Sequence, residues 1–219
     1  HSVASLPTCT SILASALSGS SSPNAEMMAT AGLCLTTVKT VLAAAGPSAG
    51  LQSLRDVIWG RYAAGHVQAG SILERGAVDV IVGFLVRQWP QSWPTATDWL
   101  VSGLQSTNTL ESNRVVQVLV ALDAALRSPE SSEWDAERRA EVGGAFHELA
   151  PVMTEWLVAK TRTGDADGAV LALLSAICTS ADLPKSVIDW LFTAIVSSPN
   201  RLELVEVLYE FSQRTKWSD

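Results

Sequence analysis

The chain contains the segment Arg87-Gln88-Trp89-Pro90-Gln91-Ser92-Trp93-Pro94, in which two Trp-Pro steps lie four residues apart. An amphipathic apolar run, Val78 to Val86, comes directly before it. Because proline disfavours the helical conformation in the residue before it, Pro90 is predicted to end that run as a helix. Pro94 suits the first turn of a new helix, where its missing N–H costs nothing. The segment therefore predicts a rigid corner between two helices, with two indoles that can each bury a large flat surface.

Apolar residues on both sides of this corner recur with the spacing of one helical face. The clearest runs are Leu73, Ala77, Val80, Ile81, Phe84 and Leu85, then Val115, Val118, Leu119, Leu122 and Leu126, and then Val187, Ile188, Leu191 and Ile195. Sustained alternation of apolar and polar residues, which half-buried strands require, is hard to find. The pattern predicts an all-α chain, broken at stretches rich in Gly, Pro and Ser.

One proline is predicted to bend a helix rather than to end it. Pro151 falls inside the helix that begins near Ser132-x-x-Asp135, a sequence that resembles a capping box. Because the apolar pattern resumes directly after it, at Val152 and Trp156, the helix is predicted to kink at this point.

The spacing of the breaks predicts the architecture. Helices paired across short turns, at about 40–45 residues per pair, are typical of a HEAT-type solenoid. We therefore predict a right-handed α-α superhelix of HEAT or ARM type with about five helix pairs. Residues 1–219 are expected to form a single segment of this kind, with the Ser-rich residues 1–23 as an atypical first repeat. A globular helical bundle is the alternative that the pattern leaves open.

Composition excludes several classes of function. Hydrophobic residues make up 47% of the chain, charged residues 17%, and the net charge is −7. An acidic chain lacks the basic face that a general nucleic-acid grip needs, and it suits basic partners. Apolar stretches long enough to cross a membrane, about 18 residues, are interrupted by charged or polar residues, so no membrane span is predicted.

The residues that could carry chemistry are scattered. The cysteines and histidines, Cys9, Cys34, Cys178, His1, His66 and His147, form no pattern typical of zinc ligands or of a disulfide framework. Reduced, buried thiols favour a reducing intracellular compartment. The segment Gly46–Gly50 matches the G-x-S-x-G pattern of the nucleophile elbow in hydrolases. That elbow needs a strand before its serine, but here a helix is predicted before it. We predict no enzyme activity, no metal and no cofactor.

At the Trp-Pro corner the chain resembles an exportin, a nuclear transport receptor of the importin-β (karyopherin-β) family. Those proteins carry, near their N-termini, a helix with a polar end, then Trp-Pro-x-x-Trp-Pro, then an amphipathic helix, here with Asp98-Trp99-Leu100. Residues Leu51–Tyr62 resemble the family's preceding helix, and Ser186–Leu191 and Leu204–Phe211 resemble later segments. The resemblance covers Leu51 to Arg214, and the chain length implies an N-terminal fragment or a divergent member.

The resemblance implies a non-enzymatic receptor that binds the small GTPase Ran in its GTP state on the concave side. That side would be lined by the second helix of each pair, expected at Asn24–Ala44, Val67–Gln88, Leu110–Leu126, Asp165–Thr179 and Arg201–Arg214. The polar faces of these helices would present acids to a basic surface of Ran, which steers association more than it adds affinity. These acids are Glu26, Glu74, Asp79 and Asp123. For each of them, a solvated surface charge is the alternative.

The resemblance also implies export cargo, protein or RNA, and nucleoporins as partners of a full-length receptor that shuttles between nucleus and cytoplasm. The alternative function is a HEAT-repeat scaffold that binds a protein partner in its concave face and has no part in transport.

Overall fold

The structure is a computed structural model that describes residues 6–16, 25–44, 49–68, 70–128, 135–163, 168–177 and 184–197, with Val205 and Tyr209. These ranges hold ten helices and no strand, so the predicted all-α fold class is confirmed. The helices are α1 (Leu6–Ala16), α2 (Ala25–Ala44), α3 (Ala49–Ala63), α4 (Ile72–Gln88), α5 (Thr95–Gln105), α6 (Thr109–Arg127), α7 (Ala136–Glu148), α8 (Ala150–Arg162), α9 (Gly168–Ile177) and α10 (Lys185–Ser197). In the described ranges, no helix is both long enough and apolar enough to span a bilayer.

The N-terminal unit comprises residues His1–Pro94. In it α1 packs on α2 and α3 packs on α4, and each pair stacks on the other, α1 against α3 and α2 against α4. Leu35 meets Gly76, Lys39 meets Asp79 and Leu42 meets Gly83, so α2 and α4 run in the same direction. Two helix pairs stacked in the same orientation are the arrangement of a helical repeat.

The C-terminal unit comprises residues Thr95–Asp219 and repeats this arrangement. Here α5 pairs with α6 and α8 pairs with α9, while α5 stacks on α8 and α6 stacks on α9. Helix α10 continues the layer of α5 and α8, and α7 packs on α8. The helices expected to come second in their pairs, α2, α4, α6 and α9, therefore form one layer in each unit. The predicted handedness, the single segment over residues 1–219 and the fifth second helix, at 201–214, stay predictions, and most of the last lies outside the described residues.

Helix α4 starts later than expected, at Ile72 rather than Val67, because Ser71 caps it. The Ser71 Oγ accepts the Glu74 N–H at 3.1 Å, and the Glu74 carboxylate accepts the Gly70 N–H at 2.6 Å. Ser and Glu three residues apart, with the glutamate bonding the residue before the N-cap rather than the N-cap itself, form a close variant of a capping box. The side chain of Glu74 is thereby committed to the start of its own helix.

The prediction of one kinked helix through Pro151 is wrong, because α7 ends at Glu148 and α8 begins at Ala150. Leu149 stays in the right-handed helical region, with φ −80° and ψ −11°, so the interruption is small. Pro151 lies in the first turn of α8, where its missing N–H has no intrahelical partner to lose. Asp135 caps α7 by accepting the Glu137 N–H at 3.1 Å, and Ser132 lies outside the described residues.

Candidate partner-binding surface

The Trp-Pro corner, residues 89–94, follows the end of α4 at Gln88, where the sequence predicts that this helix ends. Trp89 is 1% exposed and Trp93 is 4% exposed, which confirms that both indoles are buried. The Trp89 N–H donates to the Leu85 carbonyl at 2.9 Å, and the Ser92 N–H donates to the Gln88 carbonyl at 2.7 Å. The Trp89–Pro90 peptide bond is cis, and Pro94 is exposed just before α5.

Helix α3 holds this corner through two side chains. The rings of Trp59 and Trp93 meet edge to face, with centroids 4.7 Å apart and an interplanar angle of 74°. The guanidinium of Arg55 lies over the Trp93 ring, 4.9 Å from its centroid, and its Nη1 donates to Gln88 Oε1 at 2.7 Å. Both indoles of the corner are therefore engaged in packing within the chain, which leaves them unsuited to gripping a partner.

The surface that the second helices of the N-terminal unit share contains a groove, here called the α2–α4 groove. Its volume is about 270 Å³. It is lined by Gly32, Leu35, Thr36, Lys39, Ile72, Arg75, Gly76, Asp79 and Val80. Leu35 and Val80 are buried at its floor, whereas Ile72 is 72% exposed at one end, and Leu33 next to Gly32 is 70% exposed. An exposed isoleucine at the end of a groove with a buried aliphatic floor offers a partner apolar surface to cover.

The structure corrects the position assigned to Glu74. This residue is 3% exposed, so the prediction that it presents its carboxylate on a polar face of α4 is wrong. The reason is the capping role described above, which turns the side chain toward Gly70 N–H. Its second carboxylate oxygen, Oε1, is buried without a hydrogen-bond partner among the described residues.

Asp79 and Asp123 both form ion pairs within their own unit. The Asp79 carboxylate lies 2.9 Å from Lys39 Nζ, and the two side chains are 54% and 65% exposed. Asp123 on α6 accepts Arg127 Nε at 3.0 Å, and Arg127 Nη2 also donates to the Ser175 carbonyl of α9 at 3.1 Å. Asp79 is therefore accessible, whereas Asp123, with its side chain 13% exposed, mainly orients an arginine that ties α6 to α9. Glu26 belongs to α2, but its side chain lies outside the described part of the chain.

Sequence reasoning missed the basic and aliphatic members of the α2–α4 groove. Lys39, Arg75 and Ile72 line the groove, whereas the resemblance implies acids that face a basic partner. A weak signal was present: Ile72 precedes the apolar face that begins at Leu73 and therefore lies off it. The pairing of α2 with α4, which brings Lys39 beside Asp79, has no signature in the sequence.

The C-terminal unit has a larger cleft, of about 540 Å³, between the α5–α6 turn and α8. It is lined by Leu104, Gln105, Ser106, Thr107, Thr109, Ser112, Val152, Glu155, Trp156, Ala159, Lys160 and Thr163. The Lys160 Nζ lies 5.5 Å from the centroid of the Trp156 ring. A lining that mixes apolar side chains and hydroxyls suits a protein or peptide segment.

The described residues bring few reactive groups together. Cys9 of α1 and Cys34 of α2 are buried free thiols, and Cys178 lies outside the described ranges. Burial raises the pKa of the Cys34 thiol to about 11, and a hydrogen bond and charge interaction with Cys9 add to this. Nowhere in the described ranges do three or more His, Cys, Asp or Glu side chains cluster as metal ligands would.

The sequence was compared with protein-family models and with curated proteins. No protein-family model matches the chain, and no curated protein matches it.

Proposed function

We propose that this chain is the N-terminal part of an exportin-like nuclear transport receptor, and that its second helices bind Ran in the GTP state. The observation that carries the proposal is the contact between α3 and the Trp-Pro corner. Two of the segments that carry the resemblance, Leu51–Tyr62 and Arg87–Pro94, meet in the structure through Arg55, Trp59 and Trp93. Sequence features that are distant in the chain but form one packing unit are stronger support than a single short motif.

The arrangement of the helices supports the same proposal. The second helices stack side by side, α2 with α4 and α6 with α9. A layer of this kind presents an extended surface, which is how helical repeats bind large globular partners. Cargo and nucleoporin binding, and shuttling between nucleus and cytoplasm, would belong to the complete receptor.

In the N-terminal unit, we assign the Ran contact to the exposed Asp79 carboxylate at the edge of the α2–α4 groove, not to the groove itself. Asp79 is the accessible acid in it, and Glu74 is no longer a candidate contact residue. An exposed ion pair such as Lys39–Asp79 contributes about 0–1 kcal/mol, so a partner can replace either member at small cost.

The test is interferometry with immobilised chain and Ran loaded with GDP or with a non-hydrolysable GTP analogue, at two salt concentrations. We expect weak binding to the GTP-analogue form, weaker binding at higher salt because the charges are exposed, and no binding to the GDP form. Asp79→Lys should slow association, whereas Asp98→Lys, an exposed acid on α5, should not. Equal binding of both nucleotide forms, or none at high micromolar protein, would overturn the proposal.

The alternative is a helical-repeat scaffold unrelated to transport. The observation that favours it is the cleft between the α5–α6 turn and α8, which has the size and mixed lining of a peptide site and is formed mainly by that turn and α8, with only Thr109 and Ser112 from a second helix, α6. A chain that ignores Ran but loses a co-purifying protein when Trp156 and Lys160 are both replaced by Ala would support the scaffold.

A further inference from the structure

The α2–α4 groove carries the opposite charge to the one expected for this face from the sequence. Among its lining residues are two cations, Lys39 and Arg75, and one anion, Asp79. Asp79 is already paired with Lys39 at 2.9 Å. The Arg75 side chain is exposed and has no ion pair or hydrogen bond with any described residue. Glu74, the other acid of the first turns of α4, is buried and bonded to Gly70 N–H.

The apolar part of the groove lies beside these cations. Gly32 leaves space in it, because a Cβ there would meet no atom within 4 Å, whereas Gly76 lets the Leu35 side chain pack closely on α4, and Leu35 and Val80 form the floor. Ile72 is 72% exposed at one end, on the first residue of α4, where the positive end of the helix dipole lies. A ligand that fills the groove would thus bury aliphatic carbon against Ile72 and face a positive edge at Arg75.

We infer that the α2–α4 groove binds an acidic amphipathic segment of a protein partner, with an aliphatic side chain in the groove and a carboxylate on Arg75. The occupant is inferred to be acidic because its carboxylates would complement the cations at the edge of the groove. In a chain of net charge −7, a groove edged by two cations and one paired anion is a local exception. Arginine and carboxylate form the stronger, two-pronged type of charged hydrogen bond, which gives orientation as well as attraction. The inference goes beyond the Ran contact, because it depends on the groove alone and not on any nucleotide state.

The chain offers a matched pair of glycines for the test. A Cβ added at Gly32 meets no atom within 4 Å, and the same is true at Gly60 of α3. Gly32→Leu therefore fills the groove, while Gly60→Leu adds the same side chain to an exposed helix position away from it. Both substitutions remove a helix-interior glycine, so neither is expected to unfold the chain.

The experiment is fluorescence anisotropy with a short labelled peptide of Glu and Leu residues that places the Leu on one helical face. Two comparison peptides replace every Glu by Lys, or every Leu by Ser. We expect binding of the Glu-Leu peptide only, weakened about tenfold or more by Gly32→Leu and by Arg75→Glu, and unchanged by Gly60→Leu. Circular dichroism melts of each variant establish that it is folded.

Three results would overturn the inference: no binding of the Glu-Leu peptide at high micromolar chain, equal binding of the Lys-Leu peptide, or equal binding by folded Gly32→Leu. Its outcome is separable from that of the Ran proposal, because Ran binding depends on nucleotide and peptide binding does not. If the chain binds the peptide but does not bind Ran, this inference is supported and the Ran proposal is overturned.

Discussion

Arg55 lies over the ring of Trp93, with its guanidinium carbon 4.9 Å from the ring centroid, and the same guanidinium donates to the Gln88 side chain at 2.7 Å. One side chain of α3 therefore contacts both the last residue of α4 and the second indole of the Trp-Pro corner. The Arg55 side chain is 14% exposed, so these contacts are partly shielded from water. They link the preceding helix to the corner more firmly than exposed contacts would.

The Arg55–Trp93 contact should be measurable as a coupling energy. In a double-mutant cycle with Arg55→Met and Trp93→Ala, the double variant should be destabilised less than the sum of the two single variants. The difference should be about 0.5–2 kcal/mol, the range of a partly desolvated cation–π pair. Urea unfolding gives the four free energies. Strict additivity would mean that the guanidinium is held only by Gln88 and by the neighbouring Asp56, whose Oδ1 lies 2.8 Å from Arg55 Nη2.

Loss of the second indole should be among the most costly single changes in the N-terminal unit. Trp93 is 4% exposed and packs edge to face on Trp59, so Trp93→Ala should lower the free energy of unfolding by about 3–5 kcal/mol. The control is Phe192→Ala on α10, where the ring is 51% exposed and the expected loss is under about 1 kcal/mol. Thermal melts with equal shifts for both variants would contradict the burial of Trp93.

The fold class and the corner could be predicted because both depend on local rules. Proline placement and helical spacing act within a few residues of the chain, so Trp89, Trp93 and the end of α4 at Gln88 follow from the sequence. Pro151 shows the limit of such rules. A proline after an apolar run fits a kinked helix and a new first turn equally well, and the difference depends on the backbone at Leu149.

The candidate site was harder to predict, because exposure and pairing are set by neighbouring helices. Glu74 has the spacing of a surface acid, yet the Ser71 cap draws it into the first turn of α4. Lys39 and Asp79 are 40 residues apart in the chain and meet only because α2 and α4 stack in parallel. Periodicity identifies which face of a helix is apolar but gives no information on which helix lies beside it.

The two acids of α4 should therefore respond differently to charge reversal. Glu74→Lys places a cation at a buried site and removes the acceptor for Gly70 N–H, so it should cost about 2 kcal/mol or more. Asp79→Lys removes an exposed ion pair and should cost under about 1 kcal/mol. Urea unfolding of the two variants under one buffer condition gives the comparison. Equal losses would mean that Glu74 is more accessible than its 3% exposure indicates.

Close packing of α5 on α6 should make Gly103 intolerant of a methyl group. A Cβ at Gly103 would overlap Cγ2 of Val115, a side chain with little rotamer freedom, so Gly103→Ala should destabilise by about 1–3 kcal/mol. Gly143→Ala on α7 is the matched control, because a Cβ there meets nothing within 4 Å, and it should stabilise by about 0.5–1 kcal/mol. In a Val115→Ala background the penalty at Gly103 should largely disappear. A penalty that persists in that background would place the clash elsewhere.

The buried thiol of Cys34 should react slowly at neutral pH. The nucleophile in alkylation is the thiolate, and burial, assisted by Cys9, raises the pKa of Cys34 to about 11. Its rate of reaction with iodoacetamide, followed for each cysteine by peptide mass spectrometry, should therefore keep rising from pH 8 to beyond pH 10. In the urea-unfolded chain the rate should level off near pH 9.0, the ordinary pKa of a cysteine thiol.

The same shift in the pKa of Cys34 makes stability depend on pH. Since the folded pKa exceeds the unfolded one, the stability contributed by the protonated thiol is complete below pH 9 and is lost as the pH rises toward 11. A folded-state rate that levels off by pH 9, or urea midpoints for the native chain and Cys34→Ala that change in parallel between pH 8 and 10, would show that Cys34 titrates as an accessible thiol.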